Sequence, residues 1–274
     1  MRIVGVHGVG NHRPGESPEK AAQNLSGIWA ESLAATVAEH VAVAYYADRL
    51  QVRGGQGPAG GLAGLDAFEQ DLVRAWLNEL APPEAVAAGP GTWPLRQAVG
   101  WVARTRSLGR PATEWFVATF FREVATYLRD ADGAARRAAR EHVAGVVAKE
   151  RPDVVLAHSL GSVVAYEALW TLPEVPVGLF VTLGSPLALP HAVFPRLRPT
   201  PLDGRGTRPP GVRRWVNLAD PGDLVAVPPG GVARGFAGVD SDLQATIHAF
   251  DFHRVRNYLR SPRLAGVLAE VARG

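Results

Sequence analysis

The sequence contains no cysteine. Disulfides, thiolate zinc sites and a cysteine nucleophile are therefore excluded together. Lysine is almost missing too: with only Lys20 and Lys149 present, 27 of the 29 basic residues are arginines. The calculated pI of 9.6 accompanies a net charge of only +3, so the basicity reflects arginine usage more than a surface built for phosphate. Arginines gather at Arg136, Arg137 and Arg140, and again at Arg205, Arg208, Arg213 and Arg214. Acids or prolines interrupt both groups and no aromatics interleave them, which argues against a nucleic-acid partner. The first group reads as a solvated helix face.

Long apolar runs are lacking as well. No stretch of about 18 uninterrupted apolar residues occurs, so no spanning helix is expected, which still leaves room for a transient membrane-surface contact. The opening "MRIVGVHGVG" has one arginine and a short apolar run that turns at once into glycines. It reads as a first strand and not as a leader, and a cytoplasmic location is expected. A dinucleotide turn is incomplete here, because Gly8 and Gly10 make GxG but Arg13 stands where the third glycine belongs. Histidines and carboxylates do not cluster at ligand spacing, so neither a metal nor a cofactor is expected. The sequence sets no oligomeric state.

What is present is an alternation. Hydrophobic residues make up 47% of the 274 and charged ones 20%, enough apolar material for a sizeable core. Five nearly continuous β-branched runs, at residues 3–6, 41–46, 154–157, 179–183 and 212–218, look like strands buried on both faces. Helical spacing over 21–39 and 134–150 separates most of them. The expectation is an α/β fold with a doubly wound, mostly parallel sheet.

Residues of about 54–130 break the rhythm. They open with "GGQGPAGGLAG" and continue as three helical patterns without a strand, holding four of the seven tryptophans and four of the nine phenylalanines. The interval reads as a helical insertion in a single domain spanning 1–274. Trp76, Trp115, Phe116 and Phe120 either pack it onto the sheet or line an apolar acyl pocket. A Pro- and Gly-rich stretch at 195–214 reads as a surface loop.

The chemistry starts at "VVLAHSLGSVVAYEAL". A serine hydroxyl attacks a carbonyl only if a base can take its proton unobstructed. A strand ending in a tight turn into a helix provides that exposure, with small residues two positions either side of the serine. Ala157 and Gly161 stand there, around Ser159. A developing oxyanion needs backbone donors. The turn offers the Leu160 amide, and the loop in "VGVHGVGNHRPG" offers Val9, with Gly10 as the alternative. His7 and His12 read as residues that fix this loop. The order for such a site is serine, acid, histidine. "NLADPGDLVA" supplies Asp223, with Asp220 the alternative or a turn former, and "IHAFDFHRVRNYL" supplies His253, with His248 the alternative.

Together "AHSLG", "VHGVGNH", "VTLGSP", "NLADPGDLVA" and "HRVRNYLRSP" resemble, in order, the α/β-hydrolase superfamily, in particular its lipase- and esterase-like serine hydrolases. The elbow departs from GxSxG at Ala157, which is still small. The resemblance implies that Ser159, Asp223 and His253 are nucleophile, acid and base, and that the insertion is a cap. It also implies a sheet truncated at its N-terminal strands and a small-molecule acyl substrate, most simply a carboxylic ester. Thioesters, lactones and amides use the same constellation, and an inactive fold acting as a binding module is the reading from another class.

Overall fold

The computed structural model describes residues 1–33, 38–50, 61–80, 95–106, 108–247 and 253–273. Six strands among them form one sheet: β1 (Arg2–Val6), β2 (His40–Ala44), β3 (Val154–His158), β4 (Val177–Leu183), β6 (Val212–Ala219) and β8 (Ser241–Gln244). Their order is β2-β1-β3-β4-β6-β8, and every neighbouring pair runs parallel. Two short strands, β5 (Gly206–Thr207) and β7 (Phe236–Ala237), pair apart from it. The 195–214 stretch thus contains a two-residue strand as well as loop.

The sheet is flanked by helices on both faces, because side chains alternate along each strand. Ile3, Val154, Leu156, Leu179 and Val181 point into a core shared with α1 (Pro18–Ser32), α8 (Val255–Leu259) and α9 (Pro262–Val271). Val4, Val155, Ala157 and Phe180 point into the opposite core. There they meet α2 (Ala67–Leu80), α3 (Leu95–Thr105), α4 (Arg110–Leu128), α5 (Ala134–Glu150) and α6 (Leu160–Trp170). A helix of five residues, α7 (Gly231–Gly235), precedes β7. α4 buries Val117, Phe120, Phe121, Val124 and Tyr127, a three-to-four spacing that keeps one stripe inward. The indole of Trp76 on α2 donates to the Leu224 carbonyl at 2.6 Å, tying α2 to the loop after β6.

Three expectations change. α1 starts at Pro18 because Ser17 caps it, accepting from the Lys20 amide, and it ends at Ser32; residues 34–37 of the expected helix lie outside the described residues. β8 was not foreseen, since "SDLQ" is a half-exposed edge strand with no apolar run. The arginines of α5 are not all on a solvated face. Arg136 is buried and pairs with Glu167 of α6, also buried, with guanidinium and carboxylate in direct contact. Of the insertion, residues 54–60, 81–94 and 107 lie outside the described residues, Trp93 among them.

Candidate functional site

β1 and β3 are neighbours whose successors lie on opposite sides, β2 beyond β1 and β4 beyond β3. In an open parallel sheet, ligands bind in the crevice at the carboxyl ends of strands that part in this way. Residues 7–10 and Ser159 sit at those two ends.

Ser159 is the single residue between β3 and α6. Its φ of 55° and ψ of −133° lie in a region that costs a non-glycine residue on the order of 1–3 kcal/mol and persists only where the surroundings impose it. They do so here. The Ser159 amide donates to the Leu183 carbonyl at 3.0 Å, and its carbonyl accepts from the Ser162 amide at 2.9 Å and the Ser162 hydroxyl at 2.6 Å. Ser162 in turn lies 2.7 Å from the Ser185 hydroxyl. Close approach also demands glycine nearby: a Cβ on Gly8 would lie 2.6 Å from the Ser159 Cβ.

His253 Nε2 is 2.8 Å from Ser159 Oγ, and its Nδ1 is 3.0 Å from each carboxylate oxygen of Asp223. A carboxylate can only accept, so Nδ1 carries the proton and Nε2 is left to accept from the serine hydroxyl. The carboxylate is held in turn by the Val225 amide at 2.8 Å and the Tyr258 phenol at 2.7 Å. Burial and the Asp223 charge push the Tyr258 phenol far up, so it remains a donor. This hydrogen-bonded row can take a proton from Ser159 onto His253 and hold the resulting cation against Asp223.

The structure brings Ser159, Asp223 and His253 together and leaves Asp220 apart. Asp220 shapes its own turn: one oxygen accepts from the Gly222 amide at 2.6 Å and the other from the Ile247 amide. The alternative base, His248, lies outside the described residues. His158 is buried with its ring 4.7 Å from that of His253. Burial, and then the neighbouring His253, push it well below the usual histidine value, so it stays neutral. His40 has an acid at hand, Glu150 at 3.1 Å, but it stands at the amino end of β2, away from the crevice.

The loop after β1 is fixed by His7, as expected, whereas His12 is exposed. His7 Nδ1 donates to the Gly8 carbonyl at 2.8 Å while Nε2 accepts from the Tyr46 amide at 3.1 Å. Its ring stacks on that of Tyr46, and burial lowers its pKa to about 4. Asn11 Nδ2 donates to the Gly8 carbonyl at 2.9 Å and the Val9 carbonyl at 3.1 Å. The Gly10 amide donates to Glu123 of α4 at 2.8 Å, which disfavours Gly10 as a donor to anything else. The Leu160 amide is the first of α6 and has no intrahelical acceptor.

From α4, Phe116 and Phe120 turn toward His253, their rings 5.5 and 6.2 Å from its ring. Trp115 is exposed and Ser159 has no exposed surface. Two surface hollows, one lined by Gln97, Gly100, Arg104 and Arg110 and one by residues 61–63 with residues of α2, α3 and α4, contain none of these groups. Among the described residues no cluster of His, Asp and Glu could hold a metal ion, and no helix is long and apolar enough to cross a membrane.

Sequence reasoning missed Tyr258 and Glu123. Tyr258 lies five residues after His253, close enough to be suspected, but nothing in the sequence ties Glu123 to Gly10. The fold and site define an α/β protein with a polar row at its sheet crevice. No protein-family model matches the chain, and neither the curated proteins nor the solved structures compared with it gave a match.

Proposed function

We propose that the protein is a serine hydrolase of α/β-hydrolase type that cleaves carboxylic esters with an apolar acyl group. The observation that carries this reading is the unbroken row Ser159–His253–Asp223, with contacts of 2.8 and 3.0 Å, on a strained strand-to-helix turn at the sheet's switch point. In the proposed reaction His253 Nε2 takes the Ser159 proton as Oγ attacks the ester carbonyl. Asp223 holds the imidazole tautomer and stabilises the cation. The tetrahedral oxyanion rests on the Val9 and Leu160 amides; one such donor is worth about 3 kcal/mol in the transition state. Collapse returns the proton to the leaving alcohol and leaves an acyl-enzyme. Water, activated by the same histidine, then releases the acid and restores Ser159.

The insertion is read as a cap. Phe116 and Phe120 beside His253 support an apolar acyl site, in which side chains of this kind would line one wall. No cofactor or metal enters any step.

Labelling with a fluorophosphonate probe tests the reading. The wild type is expected to be modified at Ser159 and Ser159→Ala not at all, with an unchanged circular dichroism spectrum. Absence of labelling in the wild type overturns it and leaves a binding module. A series of p-nitrophenyl esters should show kcat/KM rising from acetyl to longer chains, and a faster matched thioester would move the substrate class away from oxygen esters.

A further inference from the structure

We infer that Glu123, on α4 of the insertion, is a positioning residue that aims the Val9 amide at the oxyanion. The inference rests on the acyl-transfer reading above and assigns a task in that reaction to the helical insertion.

The argument begins with the peptide bond. A planar trans peptide points its C=O and its N–H in opposite directions, so whatever holds the carbonyl also aims the amide. The Gly8 carbonyl shares a plane with the Val9 N–H, and it is held by His7 Nδ1 at 2.8 Å and Asn11 Nδ2 at 2.9 Å. The Val9 carbonyl shares the next plane with the Gly10 N–H. Here Asn11 holds the carbonyl at 3.1 Å, and Glu123 Oε1 accepts from the amide at 2.8 Å. Val9 is thus pinned on both sides. His7 is anchored through Tyr46 and holds only the first of these planes, whereas Asn11, which holds the carbonyl of the second, belongs to the segment it fixes and can drift with it. Glu123 does not: it comes from 113 residues further along the chain, on a helix packed into the main core.

A carboxylate is a costly choice for a bond that an amide could make. Burial pushes Glu123 up to about 7, and the bond from the Gly10 amide opposes that only in part. Strongly perturbed groups cluster at functional sites. The same helix face sends Phe116 and Phe120 to His253. α4 therefore touches the base with one part of its length and the oxyanion loop with another.

Three variants test this: Glu123→Leu, which keeps bulk and removes the acceptor, Glu123→Ala, and Glu123→Gln, which keeps an acceptor oxygen. Each is assayed with one p-nitrophenyl ester, and its inhibition by a matching trifluoromethyl ketone, whose serine adduct bears an oxyanion, is measured. Glu123→Leu is expected to lower kcat about 10- to 100-fold, part of the 10²–10³ lost when an oxyanion donor is removed outright. KM should stay within about twofold, and the ketone's affinity should fall by a similar factor to kcat. Glu123→Gln should recover most of the loss. Wild-type kcat in Glu123→Leu overturns the inference, as does an equal loss in Glu123→Gln. A loss of kcat with unchanged ketone affinity overturns it too. If Glu123→Ala does not fold, Glu123→Leu decides alone. Failure of the underlying reading looks different: the ketone and the fluorophosphonate would then leave the wild-type Ser159 untouched.

Discussion

Gly161 stands so close to His7 that a Cβ on it would lie 2.2 Å from the His7 carbonyl oxygen and 2.5 Å from that of Val6. The first turn of α6 is thereby pressed onto the end of β1, which brings Ser159 and the loop of residues 7–10 to the same spot. Both obstructing atoms are backbone carbonyls, of the last residue of β1 and of the residue that follows it, and cannot swing aside. Gly161→Ala should therefore push α6 away from β1 and lower Tm; on the proposed mechanism it also cuts kcat/KM by at least about 100-fold, because angstrom-scale misplacement alone can cost that much. Ala157 occupies the other small position of the elbow, and Ala157→Gly should behave differently. A glycine in a strand interior costs roughly 0.5–1 kcal/mol, so Tm should fall slightly while kcat stays within about twofold.

These two positions also show what a sequence can reveal. Ala157 and Gly161 were legible because the turn writes its needs within five consecutive residues, and Asp223 and His253 because chain order limits the candidates. α5 was legible over 134–150 because its apolar positions keep one spacing. What escaped depends on distant pairings. Tyr258 matters because α8 brings its phenol to Asp223 in the loop after β6, and Glu123 because α4 brings its carboxylate to the Gly10 amide in the loop after β1. Glu123 leaves no local trace, and Tyr258 only its closeness to His253. Arg136 was misread for the same reason: among "AARRAARE" nothing distinguishes the arginine that meets a buried glutamate from its solvated neighbours. β8 pairs along β6 with four residues, too few and too exposed to show a pattern.

The two aspartates of the loop after β6 should separate cleanly. Asp223→Asn keeps the shape but can present an amide donor to His253 Nδ1, which favours the wrong tautomer. The proposed mechanism then predicts a fall in kcat of about 10³- to 10⁴-fold with little change in KM. Asp220→Asn keeps one acceptor oxygen and replaces the other with an amide donor, so either the Gly222 or the Ile247 amide loses its partner. It should cost about 1–3 kcal/mol in stability, read as a lower denaturation midpoint, and leave kcat within about tenfold. The reverse pattern would make Asp220 the acid.

Glu167 carries a different kind of burden. It accepts from the Tyr127 phenol at 2.7 Å, from Arg136 Nε at 3.0 Å and from the Arg198 amide at 3.0 Å, besides the shorter contact with the second guanidinium nitrogen. Removing one partner of a buried pair strands the other charge and typically costs 3–5 kcal/mol, whereas replacing both with apolar groups can be near neutral. Glu167→Met and Arg136→Met should each be strongly destabilised, and the double variant should be more stable than either. Urea unfolding of the four proteins provides the cycle. Additive losses would mean that the pair contributes no coupling.

Stability should also bend with pH in opposite directions at two residues that hold one loop, His7 and Glu123. His7 is lowered from its usual 6.5 to about 4. Between those values the unfolded chain binds the extra proton, so the stability that His7 contributes is present above about 6.5 and is lost as pH falls toward 4. A proton on Nε2 would in addition set a donor against the Tyr46 amide. Glu123 is raised from its usual 4.5 to about 7, so the folded chain holds the extra proton and stability is lost as pH rises through that window. Each pKa unit is worth about 1.4 kcal/mol, which bounds either effect at about 3.5 kcal/mol. The Glu123 effect should be the smaller, because solvent reaches a half-buried carboxylate. The two oppose each other in the wild type and should be exposed one at a time: His7→Gln should make stability fall from pH 5 to 7, and Glu123→Gln should make it rise more steeply over the same range. Parallel curves for wild type and both variants would show that neither group titrates as its surroundings require.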